Sequence, residues 1–443
     1  MARGIKNSGV NWITEIPKTW SIINIRSLFS FGKGLPITKE DLKETGVPVI
    51  SYGQIHSKDN NGITVKKELI RYVDTDFLSK NPDSLVSAGD FIFADTSEDL
   101  SGCGNNVYID TDAYIFSGYH TIILRNKTGK DQRYLAFLFQ SDIWRRQIRE
   151  RVTGVKLFSI SQKILRTTSV LVPPTDEQKK IVSFLTAKCK KIDLTIEQTR
   201  ASIEEYKKLK QAVITHAVTK GIRLDRPMKD SGSSWIGMIP IGWDAIISRF
   251  VLDQIGDVDH YMPESVDAGV PYVMTGDLKK TLSDIDFESC KKISSVDYEA
   301  LSKKIKPSIG DIVFARYATI GTVCYVDIER DCIISYSCVT IKPTRNKLYG
   351  KFLYYYLQAS TFFEDVSQYI NSNTQENVGI EALYNVKVPV PTMAEQYEIS
   401  DYLDKKTVEI DGLIQKKEQL LSELTEYKKA LIFEYVTGKK EVM

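Results

Sequence analysis

Apolar residues recur along this chain with two different periods, and the switch between them divides it. Over 175–221 they form a helical but less regular stripe, through Ile192, Ile196, Ile203, Tyr206, Leu209 and Val213. Over 392–438 the steps are more regular, through Ile410, Leu413, Lys417, Leu420, Leu424, Tyr427 and Leu431, with Lys417 as the one polar break. Both patterns predict long amphipathic helices, and the second is a coiled-coil seam. Thr175-x-x-Gln178 and Thr392-x-x-Glu395 each follow a proline and read as capping boxes, with Gly221 and Gly438 as the stops. A helix of about 40 residues rises ~60 Å, and one with so long an apolar stripe is not stable alone. Each helix therefore needs a partner, and the nearest candidate is the other, paired antiparallel.

Outside these stretches the period shortens. Val47–Tyr52, Asp90–Ala94, Tyr119–Leu124 and Leu165–Val172 have strand character, as do Val270–Met274, Asp311–Ala315, Cys338–Ile341 and Leu383–Val390. Arg133–Glu150 and Leu348–Val366 return to helical spacing. The globular parts are expected to be α+β. They are also copies. Trp12-Ile13…Ile16-Pro17…Trp20 returns as Trp235-Ile236…Ile239-Pro240…Trp243, and Gly89-Asp90-Phe91-Ile92-Phe93-Ala94 as Gly310-Asp311-Ile312-Val313-Phe314-Ala315. Glu177-Gln178, Ile192-Asp193 and Val218-Thr219 match Glu395-Gln396, Ile410-Asp411 and Val436-Thr437. The chain reads as globular part, long helix, globular part, long helix. Two such helices paired antiparallel would relate the globular parts by a pseudo-twofold axis, the symmetry with which proteins read paired half-sites on duplex DNA. Because the two parts differ in sequence, they could read different half-sites.

Composition narrows this only slightly. The 443 residues have an ordinary globular balance, with 42% hydrophobic and 26% charged residues and a net charge of +2. No apolar run approaches a membrane span, and Met1–Val10 has no signal-peptide core. The six cysteines and four histidines show no zinc spacing, so buried free thiols in a reducing, cytoplasmic setting are expected. Charge is uneven. Arg125, Lys127, Lys130, Arg133, Arg145, Arg146, Arg149, Arg151, Lys156, Lys163 and Arg166 crowd one window against three acids, the kind of surface a polyanion needs.

Catalytic patterns are missing. No phosphate-binding loop or dinucleotide fingerprint is present, and Ser101-Gly102-Cys103-Gly104 reads as a tight turn. Pro82-Asp83 with Glu177-x-Lys179 has nuclease-like content, yet Glu177 lies in a helix first turn, where a carboxylate serves the helix dipole. His120 stands at a strand start with no evident partner. The chain reads as a module that binds and positions.

The segments SGVNWITEIPKTW and SGSSWIGMIPIGW, GDFIFADTSEDLSGCGN and GDIVFARYATIG, FSGYHTIILRN, VPPTDEQKKIVSFL and TQENVGIEALYNVKVPVPTMAEQ occur in this order over nearly the whole chain. Together they resemble the specificity subunit of type I restriction–modification systems. The resemblance implies a non-catalytic subunit with target-recognition domains over 1–172 and 223–390, and long helices over 173–222 and 391–443 forming an antiparallel coiled coil. That coil acts as a ruler and docks two modification subunits, with Ile192, Ile196, Ile203, Tyr206, Val213, Ile410, Leu413, Leu420, Leu424 and Leu431 as the coiled-coil and docking positions. No cofactor is expected on this chain. S-adenosylmethionine belongs to the modification subunits, and ATP and Mg to restriction subunits where these occur. Double-stranded DNA is the target, in the cytoplasm of a prokaryotic cell. The competing readings are a coiled-coil scaffold joining two protein-binding domains, and an enzyme with unrecognised motifs.

Base reading calls for Arg or Lys at guanine, Asn or Gln at adenine and acids at cytosine. Ser97, Glu98 and Asp99, in the polar loop after Asp90–Ala94, are candidates, as is Lys156 behind Gly154. In the second part Arg316 and Tyr317 occupy the position of that loop, and Asn371, Asn373 and Gln375 form an amide-rich stretch. Arg145, Arg146 and Arg149 are expected at phosphates, which position without specifying. The second part is less basic, with an acidic group at Asp253, Asp257, Asp259, Glu264 and Asp267 expected to face away. Lys291, Lys292 and Lys303-Lys304-x-Lys306 are the phosphate contacts it offers.

Overall fold

A computed structural model describes residues 3–60, 62–317, 319–371 and 377–442. The chain divides into two compact units, Met1–Arg200 with Gln419–Met443, and Ala201–Glu418. The first long helix, Thr175–Lys220, and the second, Met393–Val436, each contribute one part to each unit.

The first unit is built on two four-stranded sheets. One runs Asn106–Tyr108, Phe91–Ala94, Thr121–Asn126, Phe29–Lys33 and is antiparallel throughout. The other runs Arg71–Val73, Val47–Ile50, Ile115–Ser117, Leu85–Val86, with its central pair parallel. Every residue of Phe91–Ala94 is buried, which explains why this strand reads as an unbroken apolar run instead of an alternation. The expected helix Arg133–Glu150 is two helices, Arg133–Gln140 and Asp142–Arg149, separated by an extended Ser141. The break folds Trp144 back against Phe139, ring centroids 4.2 Å apart, and Phe139 packs on Phe91 at 5.0 Å. Only Ser169–Val172 of the strand expected at Leu165–Val172 is extended, pairing with Ser21–Asn24, while Gln162–Arg166 is helical.

The helix parts complete this core. Ile181, Leu185, Ile192 and Ile196 of the first helix join Leu431, Ile432 and Val436 of the second in one cluster with Trp12, Trp20 and Trp144. Phe184 meets Tyr435 at 4.5 Å, and Lys428 binds Asp193 at 2.6 Å, so one helix advances as the other retreats. The pairing is antiparallel.

The second unit repeats the design. Its main sheet runs Leu252–Gly256, Cys338–Pro343, Ile312–Ala315, Val323–Tyr325, beside a three-stranded sheet of Lys291–Ile293, Val270–Val273 and Ile333–Ile334. The helical stretch again splits, into Gly350–Tyr356 and Ser360–Ser367. Ile380–Asn385 is helical and only Lys387–Val390 of the strand expected at Leu383–Val390 is extended, pairing with Asp244–Ile247. Lys210 binds Asp411 at 2.9 Å and Lys417 lies over the Tyr206 ring, so the helices are antiparallel here too.

Two details of the helices depart from expectation. Ile192, Ile196, Ile203, Ile410 and Leu431 are buried and Tyr206, Val213, Leu413 and Leu424 half-buried, but Leu420 is 40% exposed and Tyr427 56%. The heptad spacing thus overstates the closed seam, because a straight helix of ~3.6 residues per turn carries a strict heptad off the contact line. The capping boxes are also incomplete. Thr392 Oγ1 does accept from the Glu395 amide, but Thr175 is itself helical and Gln178 donates its side chain to the Pro173 carbonyl at 2.8 Å. The Glu395 and Glu177 carboxylates turn away from the caps. Glu177 accepts from Trp20 Nε1 at 2.9 Å and from Arg3, and Glu395 from Trp243 Nε1 at 2.9 Å and from Arg226. Each carboxylate latches the start of a long helix to the entry segment of its own domain.

Candidate nucleic-acid interface

Phe91–Ala94 delivers its chain into Asp95 and the loop that follows, and a second loop lies against it. Thr96–Ser97 pairs with Phe158–Ser159, and Ile160 N donates to the Asp95 carbonyl at 2.7 Å. The polar loop 95–99 and the Gly154 loop, two separate stretches in sequence, thus form one edge. Gly154, at φ +147, has no room for a Cβ, which would fall 2.1 Å from the Leu157 carbonyl oxygen. The tight turn pushes Val155 out to 94% exposure, with Lys156 exposed beside it.

Within this edge the candidates have different standing. Ser97 is buried and its hydroxyl donates to the Asp99 carbonyl at 2.7 Å. Asp99 accepts from Ser101 Oγ and Gly102 N, both at 2.6 Å, and these bonds, the hydroxyl's first, hold its pKa below the ordinary carboxylate value. Both residues build the loop. Glu98 is exposed and free to contact a ligand.

The three arginines also separate. Arg145 is buried, donating to the Phe139 carbonyl, Asn105 Oδ1 and Gln140 Oε1. Burial, with the Arg149 charge second, pulls its pKa down to about 10. Its expected place at a phosphate is not met, because its fork is spent inside the fold; Asn105 in turn donates to His56 Nδ1. Arg149 holds the Ser101 carbonyl at 2.7 Å and Asp142 at 2.9 Å. Arg146 is exposed, with no ion-pair partner among the described residues. A cleft of about 1800 Å³ opens beside it, lined by Glu98, Arg146 and Arg149 and by Lys190 and Lys429 of the long helices.

The second unit carries the same edge with other side chains. Tyr317 bridges to Asn377, and Val378 N donates to the Arg316 carbonyl at 3.2 Å, as Ile160 does to Asp95. Asn371 lies in the short strand Ile370–Asn371, paired with Asn377–Val378, while Asn373 and Gln375 fall outside the described residues. Arg316 is withdrawn from the surface. Its guanidinium binds Asp257 at 2.9 Å and donates to the Tyr317 hydroxyl at 3.2 Å. Asp257 itself is buried and also meets His260 at 2.9 Å and Lys304 at 3.4 Å. Burial pushes its carboxyl up, but His260, Arg316 and Lys304 outweigh that and hold it below the ordinary value. Asp257 therefore does not face away; it neutralises the cations around it. Lys291 donates to the Pro263 carbonyl, Lys292 pairs with Glu288 at 2.7 Å and Lys306 with Asp331 at 2.7 Å. Of the lysines expected at phosphates here, Lys303 is exposed and has no ion pair among the described residues.

Sequence reasoning left His120 without a partner. Its Nδ1 lies 3.3 Å from Asp95 Oδ1, and its ring packs edge-on to Tyr52 and Tyr119. The signal was the strand register, since Thr121 faces Ala94 and so brings His120 beside Asp95. The Trp20–Glu177 and Trp243–Glu395 latches were legible as two repeats but not as a contact between them. Among the described residues no group of His, Cys, Asp and Glu is arranged to hold a metal ion, and no helix is long and apolar enough to cross a membrane. All six cysteines are buried and unbridged.

One scaffold is used twice in this chain, with different side chains on the same edge. The chain matches the family described as type I restriction modification DNA specificity domain over residues 17–205 and 257–423, and it belongs to that family. It is similar to the MjaVIII type I restriction enzyme specificity subunit of Methanocaldococcus jannaschii, 22% identical over 97% of this chain and 94% of that one. It is also similar to the EcoBI specificity subunit of Escherichia coli, 20% identical over 66% of this chain and 62% of that one. A solved structure described as the structural basis of complex assembly and conformational transition of the type I R-M system shares the fold. Its TM-score is 0.68 at 17% identity, covering 96% of this chain and 99% of that one. Specificity subunits are the non-catalytic components of type I systems, and this chain is one.

Proposed function

We propose that residues 1–172 and 223–390 are the two target-recognition domains of this subunit and read the two halves of a bipartite site on double-stranded DNA. The observation that carries this is the duplicated edge: the pairing of Thr96 with Ser159 recurs as Tyr317 with Asn377, on scaffolds that otherwise match. In the first domain Glu98, Lys156 and the exposed Val155 are suited to base edges, an acid for a cytosine amino group and an apolar tip for a thymine methyl. Arg146 is suited to a phosphate. In the second, Tyr317 takes the same place and the amide-rich sequence of Asn371, Asn373 and Gln375 is suited to adenine edges, while Lys303 is suited to the backbone. The long helices over 173–222 and 391–443 would dock two modification subunits that bring S-adenosylmethionine. Restriction subunits, with ATP and Mg, would join where the system has them. Acting on the cell's own DNA places the assembly in the prokaryotic cytoplasm.

Mapping methylated adenines in the host genome with and without this chain tests the reading. A bipartite motif that disappears with the chain is the expected outcome. Unchanged methylation, with salt-independent association with proteins alone, would instead fit a scaffold.

A further inference from the structure

Two histidines pack on equivalent tyrosines in the two units without being copies of each other. Thr121 faces Ala94 in the first main sheet and Cys338 faces Ala315 in the second, so Tyr119 and Tyr336, two residues ahead, are equivalent. A histidine packs on each. His120 follows Tyr119 directly, its ring 5.9 Å away and 5.3 Å from Tyr52. His260 arrives from the segment after Leu252–Gly256 and stacks on Tyr336 at 5.2 Å with the rings 27° apart. Different stretches of chain thus bring a histidine against equivalent tyrosines, edge-on in the first unit and stacked in the second. Each also has an aspartate beside it, hydrogen-bonded to His260 and within ion-pair distance of His120. Asp95 lies 3.3 Å from His120 Nδ1, and Asp257 lies 2.9 Å from His260 Nε2.

Both side chains remain open to solvent, 57% for His120 and 55% for His260. His120 does so from a left-handed backbone, φ +54, uncommon outside glycine although histidine enters it more readily than most residues, and here held by its surroundings. The surroundings are backbone hydrogen bonds: Asp95 N donates to the His120 carbonyl at 3.1 Å and Tyr52 N to the Tyr119 carbonyl at 3.3 Å. Both histidines border the edge formed by the paired loops, His120 through Asp95 and His260 through Asp257 and Arg316.

We propose that His120 and His260 are base-contacting residues, one in each recognition domain, each accepting a hydrogen bond from the exocyclic amino group of an adenine or cytosine. The inference rests on the reading of this chain as a DNA-specificity subunit. At His260 the hydrogen bond to Asp257 favours the proton on Nε2 and leaves Nδ1 with its lone pair, and at His120 the neighbouring Asp95 carboxylate favours the proton on Nδ1 and leaves Nε2 with its own. In the major groove only adenine N6 and cytosine N4 offer donors to such an acceptor. Beside His120 the Asp95 carboxylate disfavours a phosphate, because two anions would meet.

The test uses the assembled modification complex on a library of randomised target sequences, read by methylation. His120→Gly removes the ring and relieves the left-handed backbone, so loss of fold does not confound it. His120→Asn tolerates that backbone and keeps a carbonyl acceptor. His120→Gly is expected to relax one position of one half-site by about tenfold, the scale of one base-pair contact, and leave the other half-site unchanged. His120→Asn should retain part of that preference, and His260→Ala should relax a position in the opposite half-site. Weakening on all sequences alike would make these residues phosphate contacts and overturn the proposal, as would an unchanged target. If the wild-type complex shows no bipartite target, the specificity reading itself fails and takes this inference with it. A normal wild-type target with indifferent variants sinks the inference alone.

Discussion

Replacing Glu395 by Ala should loosen the second recognition domain from the helix that leaves it. The carboxylate is buried and accepts from Trp243 Nε1 at 2.9 Å and from Arg226, whose guanidinium lies 5.9 Å from the Trp243 ring centroid. Trp243 is itself fully buried, so the substitution leaves an indole N–H without a partner, at about 1–3 kcal/mol. The Arg226 pair is largely but not wholly buried, with 23% of the arginine side chain exposed, and adds about 1 kcal/mol. The expected loss is about 3 kcal/mol, or roughly a hundredfold in the opening equilibrium. Glu395→Gln keeps one acceptor and should lose about half as much. Hydrogen exchange read by mass spectrometry resolves the two units separately. Amides of Asp244–Ile247 and of the first turns of Met393–Val436 should lose protection, while those of Phe91–Ala94 keep theirs. A cycle with Trp243→Phe should give a coupling of about 1–2 kcal/mol. If Glu395→Ala leaves protection in this unit unchanged, or the coupling is near zero, the latch is not what holds the helix start.

The paired arginines should behave differently. Arg146→Ala should weaken DNA binding on all sequences and lower the salt slope by about one, whereas Arg145→Ala should reduce stability, which a urea titration separates from a binding assay. Asp411 gives a pH effect. Burial raises its pKa, but Lys280 at 2.5 Å and Lys210 at 2.9 Å outweigh this and bring it below the ordinary 3.8. The stability it contributes is present above that value and should fade as pH drops below it, a component missing in Asp411→Asn when unfolding is followed from pH 6 to about 3. Deleting 198–204 together with 417–423 preserves the Asp193–Lys428 and Lys210–Asp411 pairs while removing about 10 Å of each helix. If the helices are the ruler, the methylated motif should keep both half-sites and lose about three base pairs of spacer. Altered half-sites with the old spacing would refute that.

The internal repeat, the two long helices and the family were all legible in the sequence, because each rests on a pattern carried by many residues. A repeat such as Gly89–Ala94 and Gly310–Ala315 needs no contact to be seen, and a helix states its period residue by residue. Their ends were less legible. Ser141 and Ala359 split apparent single helices because the second segment had to turn its aromatic face onto a sheet, which no local pattern announces. The candidate loops were found by position, but which of their side chains remain free was not. Arg145, Arg146 and Arg149 are the same residue type within five positions, and only packing buries the first, ties the third and leaves the second exposed. Arg316 and Asp257 are 59 residues apart, as distant in sequence as they are close in the fold. Periodicity and repetition are properties of the chain, so the sequence by itself determined the architecture. Partnership between charges is a property of distance, so the tertiary structure decided that Glu177 and Glu395 are latches, that Arg316 is withdrawn, and that two unrelated stretches set His120 and His260 on equivalent tyrosines.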